Sequence, residues 1–185
     1  MTRDQGVQAL HYAEIDSPIG PLVLVASSQG LCAVEFGTLI DNKEKLEAWA
    51  GRWYGEFTLQ EDRQRLTPVV QQLEQYFQGK RAAFEGELDL QGTEFQKKVW
   101  QALLKVPYGH TASYKDIAAA IGSPKAVRAV GGANNRNPIP VLIPCHRIIG
   151  ASGELVGYGG GLDIKVFLLE LEGIVVQVQT TIVME

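Results

Sequence analysis

Residues 113–133 read SYKDIAAAIGSPKAVRAVGGA, and this stretch decides how the second half of the chain folds. Ser113 can cap a helix start with Asp116 at the third helical position, and Ile117, Ala118 and Ile121 form one apolar stripe. Gly122-Ser123-Pro124 makes a tight turn, which is expected to cap a second helix from Pro124 to about Ala133. Two short helices joined by a few residues containing a glycine form a helix-turn-helix unit. Many helical pairs share this spacing, so it predicts the motif more sharply than it predicts DNA. Upstream, Thr93-Glu94-Phe95-Gln96 is a capping box that opens a helix with Phe95, Val99, Trp100, Leu103 and Leu104 on one side. Pro107-Tyr108-Gly109 is expected to stop it. Downstream, a last helix over 163–172 carries Leu168, Leu169 and Leu171, with Gly173 as its stop.

The first half has a different period. Apolar runs over 9–15, 22–26 and 31–36, separated by Ser17-Pro18-Ile19-Gly20-Pro21 and the turn at 27–30, predict an antiparallel meander. Leu46, Trp49 and Trp53 are at helical spacing over 41–53. Thr67-Pro68 reads as the cap and first turn of a helix whose face is Val69, Val70, Leu73, Tyr76 and Phe77. A linker over 82–92, with an extended piece at 84–90, is expected to join an α/β domain (1–91) to a mainly α domain (92–185).

The chain has 185 residues, 45% of them hydrophobic, and a net charge of −4. That average hides a division. Residues 1–92 carry 8 Lys and Arg against 14 Asp and Glu, a net of −6, whereas residues 93–173 carry 9 against 6, a net of +3. A binding face for an acidic partner is therefore expected in the second half. No run approaches the roughly 18–20 apolar residues of a membrane span. The first nine residues lack the basic-then-apolar layout of a secretory leader, so the expected compartment is the cytoplasm, with no membrane partner. Cys32 and Cys145 are the two cysteines. Neither has the companions of a zinc site, so no metal is expected. Cys32, within an apolar strand, reads as buried and inert.

The chemistry concentrates in NPIPVLIPCHR, residues 137–147, and GYGGG, residues 157–161. Pro138, Pro140 and Pro144 exclude a regular central strand and predict a rigid, buried, extended segment that delivers Cys145 and His146. The glycines of the second motif allow close approach of backbone to a ligand. A cysteine nucleophile reacts as the thiolate and needs a base or cation nearby. Adjacent side chains on an extended segment diverge, so His146 would reach the sulfur through water. A buried structural cysteine is the other reading of the same residues.

Pro144-Cys145-His146-Arg147, Asn137-Pro138, residues 157–161 and Leu168-Leu169-Glu170-Leu171-Glu172-Gly173 closely resemble the O6-alkylguanine-DNA alkyltransferase family. Phe95-Gln96, Val99-Trp100, Pro107-Tyr108-Gly109, Ser113-Tyr114 and Arg128-Ala129-Val130-Gly131 extend the likeness over 93–173. Before Thr93 it rests mainly on residues 17–21 and Tyr76-Phe77. The resemblance implies a ribonuclease H-like α/β domain followed by a winged helix-turn-helix domain. It implies stoichiometric transfer of an alkyl group from O6-alkylguanine, and from O4-alkylthymine, to Cys145 in flipped-out nucleotides, with no cofactor. His146 would be the base, Glu172 its orienting partner, Tyr114 the proton donor to the leaving base and Asn137 a brace. Arg128 would fill the space vacated by the flipped base, with Ala126, Ala129, Gly131 and Ser113 against the DNA. Pro140, Arg147, Ile148, Tyr158, Gly159 and Gly160 would form the alkyl and base pocket. The partner would be double-stranded DNA, bound in the minor groove by a monomer with little sequence preference. Three departures stand out: Gly159 replaces a commoner Ser or Ala, Val166-Phe167 replaces the usual acidic-aromatic pair with Trp, and Asn134-Asn135-Arg136 replaces a small or basic run. A lesion-binding module, a cysteine hydrolase and a transcription regulator are the rival classes.

Overall fold

The apolar runs of the first half pair as strands because each buries a row of side chains on both of its faces. A computed structural model describes residues 6–177. In it β1 (Gln8–Ile15), β2 (Leu22–Ala26) and β3 (Leu31–Phe36) form the expected antiparallel meander. Every residue of β2 is buried. Val23 and Val25 face α1 (Leu39–Tyr54), whereas Leu22 and Leu24 face α2 (Arg63–Phe77) and the helical half. The continuous apolar run of β2 is the signature of a strand covered on both sides.

A fourth strand, β4 (Phe57–Glu61), was not expected from the sequence. It pairs parallel to β1, giving the order β3-β2-β1-β4, with α1 as the crossover. Phe57 and Leu59 alternate with Thr58 and Gln60, but five residues carry a weak period-2 signal. The start of α2 also differs. Asp62, not Thr67, caps the helix by accepting from the Arg65 N–H at 3.0 Å, and Thr67 instead donates to the Arg63 carbonyl at 3.0 Å. Pro68 lies inside the helix, where its missing N–H removes one helical bond near the start.

The second half is helical, as expected. Thr93 caps α3 (Glu94–Leu103) and Ser113 caps α4 (Tyr114–Ala120), each with a complete capping box. Helix α4 ends in a Schellman turn. Gly122 has φ +74°, its N–H reaches the Ala119 carbonyl at 3.0 Å, and that of Ser123 reaches Ala118 at 2.9 Å. Pro124 and Lys125 then form a turn closed by Ala126 N–H on the Ser123 carbonyl at 2.9 Å. The second helix of the pair, α5 (Val127–Asn135), therefore starts after this turn and not at Pro124. Two short parallel strands, β5 (Ala112–Ser113) and β6 (Ile148–Ile149), tie the start of α4 to the segment after Cys145. Helix α6 (Leu162–Leu171) closes the fold. Of the unassigned tail at 175–185, residues 178–185 lie outside the described residues.

The linker is ordered by the sheet edge. Leu31 N–H donates to Glu87 at 3.0 Å and Asp89 N–H to Leu31 at 2.8 Å. Gly30 permits this approach: a Cβ there would lie 2.3 Å from the Glu87 carbonyl oxygen, at φ +148°. Gly30→Ala should therefore destabilise the fold by about 2 kcal/mol or more, read by urea unfolding. Unchanged stability would mean that residues 87–89 are not held against β3.

Candidate active site

Residues 145–147 form a single 3₁₀ turn, closed by Arg147 N–H on the Pro144 carbonyl at 3.0 Å, instead of continuing an extended run. Successive side chains on such a turn diverge by about a third of a revolution. Cys145 points to one cavity, while His146 and Arg147 both reach Glu172, the C-cap residue of α6. The preceding loop is tight as well: Val141, β-branched and buried, has φ +73°. Asn137 braces it, donating to the Ile143 carbonyl at 2.8 Å and accepting from the Ile139 N–H at 3.0 Å.

Glu172 gathers every donor around it. Its Oε1 lies 2.7 Å from His146 Nε2 and accepts from the Tyr76 hydroxyl at 2.7 Å and from Arg147 Nη2 at 2.9 Å. Its Oε2 accepts from Arg147 Nε at 2.8 Å and from the Gly109 N–H at 3.3 Å. Arg147 Nη1 caps the Val106 carbonyl at 2.7 Å. Burial alone would raise the Glu172 pKa, but the bonds from His146 and Arg147 outweigh it and hold the carboxyl at about 2. An ionised carboxylate at a helix C-terminus is unfavourable by itself, and the paired guanidinium offsets that cost.

The carboxylate also sets the tautomer of His146. Nε2 carries the hydrogen shared with Glu172, which leaves Nδ1 as an acceptor, buried and without a partner among the described residues. Burial pushes His146 down, against the raising pull of Glu172. Burial likewise pushes the Cys145 thiol up, opposed by Asn137 and by the charge of Lys165. Both groups are therefore neutral at rest, and the sulfur needs a proton acceptor before it can attack.

Cys145 lines a cavity of about 90 Å³ with Val34, Phe36, Asn134, Pro140 and Tyr158 among its walls. Asn137 and Gly159 reach it too. The β3 residues place the N-terminal half in this wall, which sequence reasoning missed. The interdomain bond from Val34 N–H to the Pro138 carbonyl, 2.8 Å, holds them there. Phe36 packs edge-on to Tyr158 at 5.8 Å, and the Tyr158 hydroxyl is buried without a hydrogen-bond partner among the described residues. Three expected pocket residues do not line the cavity. Arg147 is turned away by its pairing with Glu172, and Ile148 is buried in β6. Gly160 packs behind, where a Cβ would meet Phe36 and Ile164 at 3.1 Å.

Tyr114, at the start of α4, is half-buried, and its pKa is raised by burial and then by the charge of Cys145. A Cβ on Gly131 would lie 3.9 Å from its ring, an ordinary van der Waals contact, so α5 runs alongside the Tyr114 ring at this point. On α5, Arg128 and Ala129 are exposed, while Ala126 and Gly131 are half-buried. The Ser113 hydroxyl is engaged by Asp116 at 2.8 Å in the cap.

Two further residues escaped the sequence reading. Tyr76 looked like one more apolar position on α2, and only its hydroxyl at the buried tip distinguishes it. Lys165 is fully buried, with Nζ donating to the Ile148 carbonyl at 2.6 Å and to Val156 at 2.9 Å. Burial lowers its pKa to about 8. Its signal was a charge on the buried stripe of α6 beside Leu168 and Leu169. Among the described residues, no group of three His, Cys, Asp or Glu could hold a metal ion, and no helix is long and apolar enough to cross a membrane.

Comparison with known proteins gives matches to both halves. Residues 10–90 match the family "6-O-methylguanine DNA methyltransferase, ribonuclease-like domain", and residues 94–174 match its "DNA binding domain". The chain is 48% identical over 163 residues to a methylated-DNA–protein-cysteine methyltransferase of Methanosarcina barkeri, covering 88% of this chain and 97% of the relative. It is also 48% identical to that of Mycobacterium leprae, covering 88% and 92%. The crystal structure of Mycobacterium tuberculosis O6-methylguanine methyltransferase superposes with a TM-score of 0.76 at 47% identity, covering 88% of this chain and 92% of that one. The M. tuberculosis protein in complex with DNA gives 0.76 at 46% identity, with the same coverage.

The clamp on Glu172 predicts a stability cost. Glu172→Gln should lose about 3–5 kcal/mol in urea unfolding, because it leaves Arg147 buried without its counter-charge. A carboxyl depressed to about 2 contributes stability that is present above pH 4.5 and lost as pH falls toward 2. The wild-type protein should lose on the order of 3 kcal/mol across that window through this group. The Gln variant should show a correspondingly flatter acid limb. An identical acid limb in both proteins would contradict the clamp.

Proposed function

The chain belongs to the 6-O-methylguanine DNA methyltransferase family, and on that premise we propose that it repairs DNA by moving the alkyl group of O6-alkylguanine onto its own Cys145, once per molecule. The observation that carries this reading is the Glu172 clamp, which leaves His146 Nδ1 as a free acceptor next in sequence to a cysteine on a cavity wall. His146 takes the thiol proton through a bound water, and the imidazolium that forms is stabilised by Glu172. The sulfur attacks the alkyl carbon, the carbon–O6 bond breaks, and its electron pair leaves with the purine. Tyr114 returns a proton to the guanine ring, so one proton leaves the sulfur and one reaches the base. The product is a thioether. No group in the site can cleave it, so the protein is consumed. Asn137 acts as the brace that fixes Cys145, and Pro140, Tyr158 and Gly159 enclose the base.

The reacting carbon lies within the duplex, so the nucleotide must leave the stack, at a cost of a few kcal/mol. Exposed Arg128 fills the gap from α5, while Ala126, Ala129 and Gly131 let that helix approach the minor groove and Ser113 adds a backbone contact. Binding reads little sequence, uses the protein as a monomer in the cytoplasm, and rests on the net +3 of residues 93–173. The DNA-binding half begins at residue 92. O4-alkylthymine is a second substrate.

Intact mass after mixing with a duplex containing O6-methylguanine tests the reaction. The expected result is one added methyl, mapped to Cys145, with repair ending at one lesion per protein. Continued turnover would mean a hydrolase, and binding without mass gain a lesion-recognition module. Arg128→Ala should slow repair of the duplex by roughly tenfold or more while changing reaction with free O6-benzylguanine by less than about threefold. Equal losses on both would remove Arg128 from flipping.

A further inference from the structure

One hydroxyl beside His146 and Glu172 has no part in the reaction described above. Tyr76 lies on α2, in the N-terminal half, and its side chain is fully buried. Its hydroxyl donates to Glu172 Oε1 at 2.7 Å, the same oxygen that holds His146 Nε2 at 2.7 Å. It also lies 3.5 Å from Nε2 itself. Because Nε2 carries the hydrogen shared with Glu172, the hydroxyl cannot donate to the ring and serves the carboxylate alone. Burial and then the charge of Glu172 push the Tyr76 pKa far up, so the hydroxyl stays a donor at every working pH. The ring is held independently of that bond, edge-on to Phe77 at 5.5 Å and to Tyr108 at 6.2 Å.

Glu172 Oε1 thus serves three donors, His146, Tyr76 and Arg147, and they compete for its charge. A hydrogen bond to an ionised carboxylate favours that form and makes it less basic, so it pulls less on a neighbouring imidazolium. The balance at His146 is close: burial lowers its pKa, Glu172 raises it, and the charges of Arg147 and Lys165 lower it. Tyr108, Tyr158 and Cys145 are the other titratable side chains near this group, and exchanging Tyr76 for Phe leaves all of them in place. We infer that Tyr76 is a positioning residue: through Glu172 it keeps the His146 imidazole a weak enough base to stand unprotonated at neutral pH, ready for the thiol proton. This rests on the alkyl-transfer reading and adds a residue of the N-terminal half to the reacting machinery. An imidazole that already holds a proton cannot accept one from sulfur, and general bases work best when tuned close to the working pH.

Tyr76→Phe removes the hydroxyl and keeps the ring. Single-turnover transfer from an O6-methylguanine duplex, at saturating protein, is followed from about pH 5 to about pH 9 in the full chain and in the variant. The acid limb of the rate profile should move up by roughly half to one pH unit in Tyr76→Phe. Below the limb the rate should fall roughly 3- to 10-fold, while the alkaline plateau stays within about twofold. Nitrogen NMR of labelled histidine should show the titration of His146 moving up with the limb. A hydroxyl that served packing alone would leave both curves where they are. An acid limb or a His146 titration that coincides with wild type, or moves down, would overturn the inference while leaving alkyl transfer intact. A rate lowered by one factor at every pH would overturn it as well. No methyl on Cys145 in the wild-type protein would overturn both.

Discussion

One buried carboxylate organises this molecule. Glu172 accepts from Arg147, Tyr76, the Gly109 backbone and His146, residues contributed by separate parts of the chain. A lone ionised carboxylate would not tolerate that depth, and a lone guanidinium would not either. Together, with the Val106 carbonyl completing the Arg147 fork, they close an almost fully satisfied polar network. The network brings α2, the turn before β5, the 3₁₀ turn and the end of α6 to one point. The pairing of Arg147 also pulls one side of the 3₁₀ turn toward Glu172, and Cys145 is left facing the cavity. The same bonds thus position the turn and leave His146 Nδ1 as a buried hydrogen-bond acceptor.

The two halves are different in architecture yet not independent in packing. Leu22 and Leu24 of β2 belong to the same apolar core as Trp100 of α3, Val130 of α5 and Leu168 of α6. Tyr76 sits within that core while its hydroxyl serves Glu172. Trp100 adds a polar tie, donating from its indole to the Ala133 carbonyl at 2.9 Å. The N-terminal sheet is therefore a structural floor for the reacting segment, and Val34 and Phe36 of β3 reach the cavity itself. The charge divides with the architecture, −6 over residues 1–92 against +3 over residues 93–173.

Much of the fold was legible because it is locally encoded. The capping boxes at Thr93 and Ser113, the glycine stop at Gly122 and the apolar runs of β1 to β3 each announce an element within a few residues. Errors fell where local signals compete. Asp62 and Thr67 both resemble helix caps five residues apart, and the first wins because the helix tolerates Pro68 near its start. Pro124 resembles a first helical residue, yet the Schellman turn before it uses one more turn to redirect the chain. β4 is short and exposed on one side, and its pairing with β1 requires α1 to return the chain across the sheet.

The sequence by itself determined the helix-turn-helix, the mixed α/β first half, and the grouping of Cys145, His146 and Glu172 by likeness to a known family. Such features depend on spacing within a few residues or on motifs, and both survive in a linear string. The tertiary structure alone decided that Arg147 belongs to the carboxylate and not to the pocket, that Tyr76, Lys165 and Asn134 surround the reacting segment, and that β3 supplies part of its wall. Those facts are contacts between residues up to 122 positions apart, as Phe36 and Tyr158 are. No local period records them, because they are set by how buried polar groups find partners once the core has closed.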